Sequence, residues 1–353
     1  GKTIHYPYRE NRHSMDPLTH TVMSAAVTRA AFGDLDEHRG LLLGVIAGTI
    51  PDIDVFFRPL AAGPLDGMLL HRHFTHSVFV APIAALVCVL PFLLWKKDRE
   101  KWQRLWFAAF ALYCSHLFVD VCTSYGTMLL WPFTTRRFAF DIISICDPVF
   151  LALFFAGLVW SFRPARPFAA TIGIILAVVW LTIGWSQRDK ALEFQRQKAV
   201  ERGQTITYGR VTPMLFSISR WRSIYRTGDA LVADAIETPF MGSAGSGETS
   251  SIPVYRMPPE SDPKFDAGMR SDVEKFSDFA DGFVAIAPHS TDIVSDMRYS
   301  LSAGGFRPLW GIRPVAGQPA EFIRLSESTL KTIDEMSHDG TTPSAGRPQH
   351  GKP

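Results

Sequence analysis

The first half of the chain alternates long apolar stretches with short polar turns, whereas the second half is polar throughout. The apolar stretches cover residues 17–32, 38–50, 78–95, 105–121, 148–162 and 168–185. A helix rises about 1.5 Å per residue and the hydrocarbon core is about 30 Å thick, so the uncharged run 78–95 is the clearest membrane span. The first two stretches are short and could enter the bilayer without crossing it. The pattern predicts a polytopic all-α membrane domain with four or five membrane helices.

The polar half predicts a small soluble α+β domain. Residues 187–203 alternate charged with apolar positions, which indicates an amphipathic helix leaving the bilayer. Stretches rich in β-branched and aromatic residues predict strands over 211–225, 230–236, 282–287, 292–299 and 308–312. A helix is expected over 262–279, and the Gly/Ser-rich stretch 241–251 is expected to be a mobile loop. The domains are therefore an N-terminal extension (1–14), a membrane domain (15–186), a soluble domain (187–325) and a disordered tail (326–353).

Composition narrows the classes of function only slightly. The 353 residues carry a formal charge of +2, and Lys and Arg in the soluble half are interspersed with Asp and Glu, so no nucleic-acid surface is expected. Four cysteines lie in or beside apolar segments without a CxxC pair, which indicates buried thiols.

Charge in the turns predicts the orientation of the membrane domain. Turns 96–104 and 163–167 contain seven Lys or Arg in fourteen residues, and the positive-inside rule places them in the cytoplasm. The polar motifs all fall at the other ends of the helices. We therefore expect a multi-pass protein of the bacterial inner membrane whose His/Asp motifs face the non-cytoplasmic side.

Those motifs contain seven candidate metal ligands: His20, Asp52, Asp54, His71, His76, His116 and Asp120. Ionisable groups near hydrocarbon are costly, so they persist mainly where they bind something. His116 and Asp120 are four residues apart and share one helix face, where they could bind an ion or simply pair with each other. Asp52 and Asp54 follow a helix, where the alternative is a capping role. Of the histidines in the stretch 71–77, His71 and His76 are the favoured ligands, and His73 is expected at the surface or behind them.

Imidazole and carboxylate donors together suit Zn²⁺, with Mn²⁺ or Fe²⁺ as alternatives. Seven candidates exceed the needs of one tetrahedral ion, so one or two ions are expected. Two ions about 3.5–4 Å apart would form a dinuclear hydrolytic site. Arg136 and Arg137 could bind a phosphate or carboxylate, or one of them could neutralise Asp141 or Asp147 in an ion pair.

The motifs resemble the YdjM-like family. The resemblance rests on residues 15–20 (MDPLTH), 51–54 (PDID), 71–72 with 75–77 (HR and THS), 116–127, 131–133 (WPF), 137–139 (RFA), Asp141 and 147–150 (DPVF), and extends weakly to 296–299. Two positions depart from the family pattern: His73 stands where a small residue is expected, and Ser24 replaces a glycine. Members are described as LexA-binding, inner-membrane-associated metal-dependent hydrolases, which implies a fold and an activity but no substrate.

Two functional hypotheses follow. In the first, the chain is a membrane-bound metal-dependent hydrolase that uses a metal-activated water on a lipid-like ester or phosphoester, with catalytic roles for Arg72, His116, Asp120 and Arg137. In the second, it is a non-enzymatic membrane regulator or adaptor with a structural metal and a protein partner. The soluble domain carries no catalytic constellation and is expected to cover or gate the site.

Overall fold

Helices form the first half of the chain and antiparallel sheets form most of the second. A computed structural model describes residues 17–33, 35, 37–164, 166 and 168–325. The predicted N-terminal extension and disordered tail lie outside the described residues. The membrane domain contains α1 (Pro17–Ala31), α2 (Glu37–Thr49), a 3-10 helix (Ile50–Leu60), α3 (Pro64–Leu69), a 3-10 turn (Phe74–His76), α4 (Ala81–Val89), a 3-10 helix (Leu90–Leu94), α5 (Lys96–Arg99), α6 (Trp102–Cys122), α7 (Pro148–Ser161) and the start of α8 (Ala169–Glu201).

Helices form at the predicted membrane stretches, but fewer of them than expected are long enough to cross a membrane. Among the described residues, three helical stretches are long and apolar enough to cross a membrane: His38–Leu60, Trp102–Cys122 and Ala169–Glu201. A fourth crossing is available if Pro64–His76 and Ala81–Leu94, which meet at an 80° bend, act as one broken span. The chain therefore has three or four candidate spans, close to the predicted four or five.

The stretch 78–95 is not the single continuous helix that its composition predicts. It forms the nine-residue helix α4 and then a 3-10 helix, Leu90–Leu94. Pro91 lies at the start of the tighter segment, where its missing N–H and its ring interrupt the α-helical ladder. Pro51 has the same effect on α2, which ends at Thr49. The helical stretch does not stop at Pro51 as expected but continues as the 3-10 helix Ile50–Leu60.

A single helix joins the two domains. The predicted membrane segment 168–185 and amphipathic segment 187–203 are one 33-residue helix, α8. At about 1.5 Å per residue, α8 is about 50 Å long, enough to cross a bilayer and continue well beyond it. No proline or glycine interrupts residues 185–201, which explains why the helix does not break at the membrane boundary.

The soluble domain consists of two four-stranded antiparallel sheets and one helix. The first sheet contains β1 (Tyr208–Pro213), β2 (Arg220–Thr227), β3 (Ala230–Glu237) and β4 (Gly245–Pro253) in sequence order. The second contains β5 (Val284–Ile286), β6 (Val294–Asp296), β7 (Trp310–Val315) and β8 (Gln318–Arg324), also in order. The helix α9 (Ala267–Phe279) begins at Asp266, whose carboxylate accepts a hydrogen bond from the Met269 amide.

Three strand predictions differ from the structure. The predicted strand 211–225 covers the end of β1, the β1–β2 loop and most of β2. The stretch 241–251, expected to be a mobile loop, contains most of β4, and β8 was not predicted at all. Both are outer strands of their sheets, and they are paired on one side only. The polar sequence of β4 lacks the apolar alternation that identifies a strand, because it has no buried face to fill.

Small residues allow α1 and α2 to pack closely. A Cβ atom at Gly48 would lie 1.9 Å from the Ser24 hydroxyl, and one at Gly44 would lie 2.5 Å from the Thr28 hydroxyl. Small residues spaced by four let membrane helices approach at this distance. The close contact fixes the position of the C-terminal end of α2. It thereby also fixes the start of the 3-10 helix that carries Asp52.

Candidate metal centre

Three segments of the membrane domain bring four donor side chains together. Asp52 comes from the 3-10 helix after α2, His76 from the turn before α4, and His116 and Asp120 from successive turns of α6. One donor atom from each of these residues lies within 4.8 Å of all the others. His76, His116 and Asp120 are buried, and the Asp52 side chain is 13% exposed. These four residues are called the metal centre below.

Five of the six distances between the donor atoms are close to the edges of a tetrahedral metal site. The distances are 3.0 Å from His76 Nε2 to Asp120 Oδ2, 3.3 Å from His116 Nε2 to Asp120 Oδ2, 3.4 Å between the two Nε2 atoms, and 3.5 and 3.7 Å from these to Asp52 Oδ1. The edge of a tetrahedron is about 1.63 times the centre-to-corner distance, so metal–ligand bonds of about 2.0–2.1 Å predict edges of about 3.3–3.4 Å. The observed distances scatter around this value.

The other ring nitrogens hold the imidazoles in the orientation that ligation requires. His116 Nδ1 lies 2.7 Å from the Gly48 carbonyl oxygen. Because a carbonyl only accepts, Nδ1 carries the hydrogen and Nε2 presents its lone pair to the centre. His76 Nδ1 lies 3.0 Å from the Thr75 hydroxyl, which leaves its Nε2 facing the same point. Outer partners of this kind fix the tautomer of metal-binding histidines.

The Asp120 carboxylate is the centre of the charge network. Arg72 Nη2 lies 2.6 Å from Asp120 Oδ1, and Arg72 Nη1 donates to the Asp120 carbonyl and to Thr123 Oγ1. Asp120 is only 1% exposed, so water does not solvate its carboxylate. Even so, neither carboxylate oxygen has a hydrogen bond of good geometry among the described residues. Buried oxygens of this kind, approached by imidazole nitrogens, suit a cation better than a set of ordinary hydrogen bonds.

Arg72 adopts a backbone conformation that is uncommon for a side-chain-bearing residue. Its φ is +56°, in the left-handed region. Its amide donates to Asp54 Oδ2 at 2.8 Å, which helps to hold this conformation. Its guanidinium lies over the Tyr125 ring, 5.5 Å from the ring centroid. Arg72 is therefore fixed at both ends, and its position orients Asp120.

The three remaining predicted ligands surround the metal centre. His20 stacks on His116 with ring centroids 3.8 Å apart, and its Nε2 lies 3.2 Å from Asp120 Oδ1. His71 Nδ1 lies 3.0 Å from Asp54 Oδ1, as in a carboxylate–histidine pair. The structure thus groups four of the seven candidates and places His20, His71 and Asp54 beside them. His73, the neighbour of Trp131, lies outside this set.

Comparison with known proteins places these residues in a family. A sequence profile described as "YdjM inner membrane protein" matches residues 15–190, which include the whole metal centre. The chain is 30% identical over 125 residues to "Inner membrane protein YbcI" of Escherichia coli (strain K12), covering 34% of this chain and 69% of YbcI. The chain belongs to the YdjM inner membrane protein family.

A second relative covers a longer part of this chain. "Uncharacterized protein YfhP" of Bacillus subtilis (strain 168) is 26% identical over 155 residues, which cover 41% of this chain and 46% of YfhP. The match therefore spans less than half of YfhP. No solved structure is significantly similar to the chain. Together with the apolar helices, the family confirms the predicted resemblance and identifies a membrane protein of an inner membrane family.

Arg137 holds backbone together near the centre. Its guanidinium donates to the carbonyls of Leu69, His71 and Gly126, at 2.7–3.1 Å. The ion pair considered for Arg136 or Arg137 is not formed, because Asp141 binds Arg210 and Asp147 accepts from the Phe150 amide and Trp180. These contacts make Arg137 a positioning residue for the loop that carries His71.

The soluble domain docks onto the segment that follows the metal centre. Arg210 of β1 donates to both Asp141 carboxylate oxygens, at 2.7 and 2.8 Å, and to the Ser124 carbonyl. Burial alone would lower the pKa of Arg210, but the carboxylates of Asp141 and Asp281 outweigh burial and raise it above its usual range. Tyr299 also donates to the Ser124 carbonyl. This contact was not predicted, because no local pattern links residues 69 or more positions apart.

A small cavity adjoins the metal centre. It has a volume of about 20 Å³, and its walls include His20, Arg72, Thr123 and Ser144. A volume above about 10–15 Å³ accommodates one water molecule when polar groups line it. A larger open groove of about 610 Å³ lies on the soluble domain near Tyr208. The four donors line neither space, but the cavity is lined by His20 and Arg72, which both contact the Asp120 carboxylate, so it is the space next to the centre.

Proposed function

We propose that this protein is a membrane-bound hydrolase that depends on one divalent cation held by Asp52, His76, His116 and Asp120. The observation that carries the proposal is the near-tetrahedral spacing of four nitrogen and oxygen donors, three of them buried and the fourth, Asp52, mostly buried. Two imidazoles and two carboxylates suit Zn²⁺ best, with Mn²⁺ and Fe²⁺ as alternatives.

Charge balance supports one ion rather than two. Asp52, Asp54 and Asp120 bring three negative charges to a mostly buried region, and Arg72 brings one positive charge. A single divalent cation makes the sum zero when the histidines are neutral, as ligation requires. A second divalent cation would leave an excess of two positive charges, or of three if Arg137 beside His71 is also counted, which is costly in a low-dielectric environment.

The surrounding residues are suited to holding and activating water. A bound divalent cation supplies Lewis acidity and lowers the pKa of a coordinated water. Arg72 keeps the Asp120 carboxylate in place, and His20 lines the adjacent cavity. His20 Nδ1 is buried without a hydrogen-bond partner among the described residues, so it is available to hold a water or accept its proton. Arg72 and Arg137 then act as positioning residues.

An amphiphilic substrate fits the location of the site. The donors lie near the ends of apolar helices, and large apolar side chains are exposed nearby, including Phe56, Phe79 and Phe133. Phe56 lies in the 3-10 helix that carries Asp52, Phe79 follows the turn that carries His76, and Phe133 packs against Phe79 with ring centroids 4.9 Å apart. We propose a lipid-like ester or phosphoester as the substrate class, on the non-cytoplasmic face of the inner membrane.

One observation favours a second candidate, a membrane adaptor with a structural metal. Structural zinc sites use four protein ligands, whereas catalytic sites keep one position open. Four protein donors already complete a tetrahedron here. In this case the ion would join α6 to the segments before and after α3, and the soluble domain would recruit a protein partner.

Turnover by metal-loaded protein separates the two candidates. Protein reconstituted in nanodiscs with zinc is tested on fluorogenic lipid esters, phosphomonoesters and phosphodiesters. The hydrolase proposal expects metal-dependent turnover that Asp52→Asn abolishes and that Asp66→Asn, an exposed carboxylate on α3, leaves unchanged. Stoichiometric zinc with no turnover on any substrate, and full complementation of a deletion strain by Asp52→Asn, would favour the adaptor.

A further inference from the structure

Four large apolar side chains project from one end of the first sheet. Leu215 and Phe216 lie in the β1–β2 loop and are 62% and 68% exposed, and Phe240 and Met241 lie in the β3–β4 loop and are 59% and 90% exposed. These four residues are called the apolar tip below. Such a cluster of exposed apolar side chains marks an interaction surface.

The two loops lie at the same end of the sheet. The strand register pairs Pro213 with Trp221 and Arg220 with Glu237, so β1 ends, β2 begins and β3 ends at one level. The Thr238 amide donates to the Ser219 carbonyl at 2.8 Å and joins the loops directly. The apolar tip is therefore one surface built from two loops.

This end of the sheet points along α8 towards the membrane. Tyr225 of β2 packs in a cluster with Ala199 of α8, and Trp221 packs in a cluster with Ala191. Eight helical residues span about 12 Å and four strand residues about 13 Å, so the strand follows the helix closely. Beyond Trp221, the β1–β2 loop therefore lies further along α8, towards its membrane-spanning part.

Ile218 sets the depth that the loop reaches. It is 3% exposed and belongs to a core cluster that otherwise consists of membrane-domain residues, including Ala177 and Leu181 of α8. The boundary of the apolar part of α8 is marked by Trp185, which contacts Phe140 and lies beneath the Arg188 guanidinium. Tryptophan next to a cation is typical of the membrane–water interface. The loop that carries Leu215 and Phe216 therefore reaches this boundary.

We propose that the apolar tip docks into the lipid bilayer, at the boundary between headgroups and acyl chains on the side of the soluble domain. The β1–β2 loop satisfies part of its own backbone, because the Met214 amide donates to the Arg220 carbonyl and the Ser217 amide to the Met214 carbonyl. Irregular backbone is not tolerated in the hydrocarbon core, so the tip stops at the boundary.

This lipid contact gives the soluble domain a second point of attachment besides α8. Large apolar side chains at the headgroup level bind a membrane surface through the apolar area that they bury. With Arg210 bound to Asp141, the tip holds the soluble domain at a fixed height above the metal centre. The proposal does not depend on the hydrolase activity.

The depth of a spin label at Met241 tests the proposal. The full chain, with its four cysteines replaced by alanine, carries Met241→Cys in nanodiscs of phosphatidylcholine and phosphatidylglycerol. We expect the label to collide preferentially with oxygen, which concentrates in the acyl region, and several-fold less with a water-soluble nickel chelate. Arg226→Cys, at the other end of the same sheet, is the control and should show the opposite preference.

An unchanged thermal transition and a monodisperse elution profile establish that each labelled variant is folded. Leu215→Cys repeats the measurement on the other loop of the tip and should give the same preference as Met241→Cys. Equal nickel accessibility at Met241 and Arg226 would overturn the proposal. Spin–spin broadening at Met241 would also overturn it, since the tip would then contact a second copy of the chain.

Discussion

Asp52→Asn and Asp120→Asn should separate metal binding from folding, although both remove one carboxylate donor. Asp52 contacts the imidazoles of His76 and His116 and, within the part of the chain that the structure describes, no arginine. Asp120 makes the same two contacts and also pairs with Arg72, which is 1% exposed. The two substitutions therefore differ mainly in whether they leave a buried cation without its partner.

These contacts determine how much zinc affinity and how much stability each variant should lose. Four-ligand zinc sites bind with about 10–16 kcal/mol, so one donor contributes roughly a quarter, about 2.5–4 kcal/mol, or about two to three powers of ten in affinity. Both variants should lose about two to three powers of ten in zinc affinity. Removing one partner of a buried ion pair costs about 3–5 kcal/mol, so only Asp120→Asn should also destabilise the metal-free protein. For a chain of 353 residues, this corresponds to a shift in apparent Tm of about 4–7 °C.

The assays are a zinc titration against a competing chelating dye and thermal unfolding in detergent with the metal removed. Asp66→Asn, on the exposed face of α3, is the control for loss of a carboxylate outside the centre. Unchanged zinc affinity in Asp52→Asn would refute the four-donor site. A metal-free Asp120→Asn protein as stable as the metal-free parent would refute the structural role of its pairing with Arg72.

The remaining predictions concern stoichiometry, topology, docking and packing. Elemental analysis of reconstituted protein should find about one divalent ion per chain, and a value near two would contradict the charge balance. In intact cells, a cysteine at Lys97 should resist an impermeant thiol reagent while one at Ser246 reacts; the reverse result would invert the orientation. Arg210→Leu should lower the free energy of unfolding by about 3–5 kcal/mol because it leaves the buried Asp141 carboxylate unpaired, measured as apparent Tm, and an unchanged Tm would contradict the role of this ion pair in docking. Gly48→Ala should weaken zinc binding, because the added Cβ would lie 1.9 Å from the Ser24 hydroxyl of α1. This clash would displace the Gly48 carbonyl, which orients the His116 imidazole. Gly245→Ala, which meets nothing within 4 Å, should bind zinc normally.

Local spacing predicted the parts of the centre that lie on one element. His116 and Asp120, four residues apart, do share a face of α6 and do converge on one point. The glycines at the end of α2 follow a spacing of four that sequence inspection could also have recognised. The pairing of Arg72 with Asp120 could not be predicted, because it depends on the left-handed backbone at Arg72 and on the packing of two separate segments.

The soluble domain illustrates a different limit. Its strands were predicted where β-branched and aromatic residues are frequent, and β4 was not, because this exposed outer strand consists mostly of glycine and serine. The docking of Arg210 on Asp141 crosses 69 residues, and each charge alone would be consistent with an ordinary surface residue. Only the fold shows that both are buried and that they compensate each other.

The contacts of two consecutive residues, Thr123 and Ser124, join the two domains. Thr123 Oγ1 accepts from the Arg72 guanidinium, which holds the Asp120 carboxylate in the metal centre. The carbonyl of the next residue, Ser124, accepts from Arg210 and from Tyr299 of the soluble domain. As long as these bonds hold, a displacement of the soluble domain also moves the backbone next to Thr123. Since Thr123 directly follows the last residue of α6, the position of the soluble domain is coupled to the geometry of the donors.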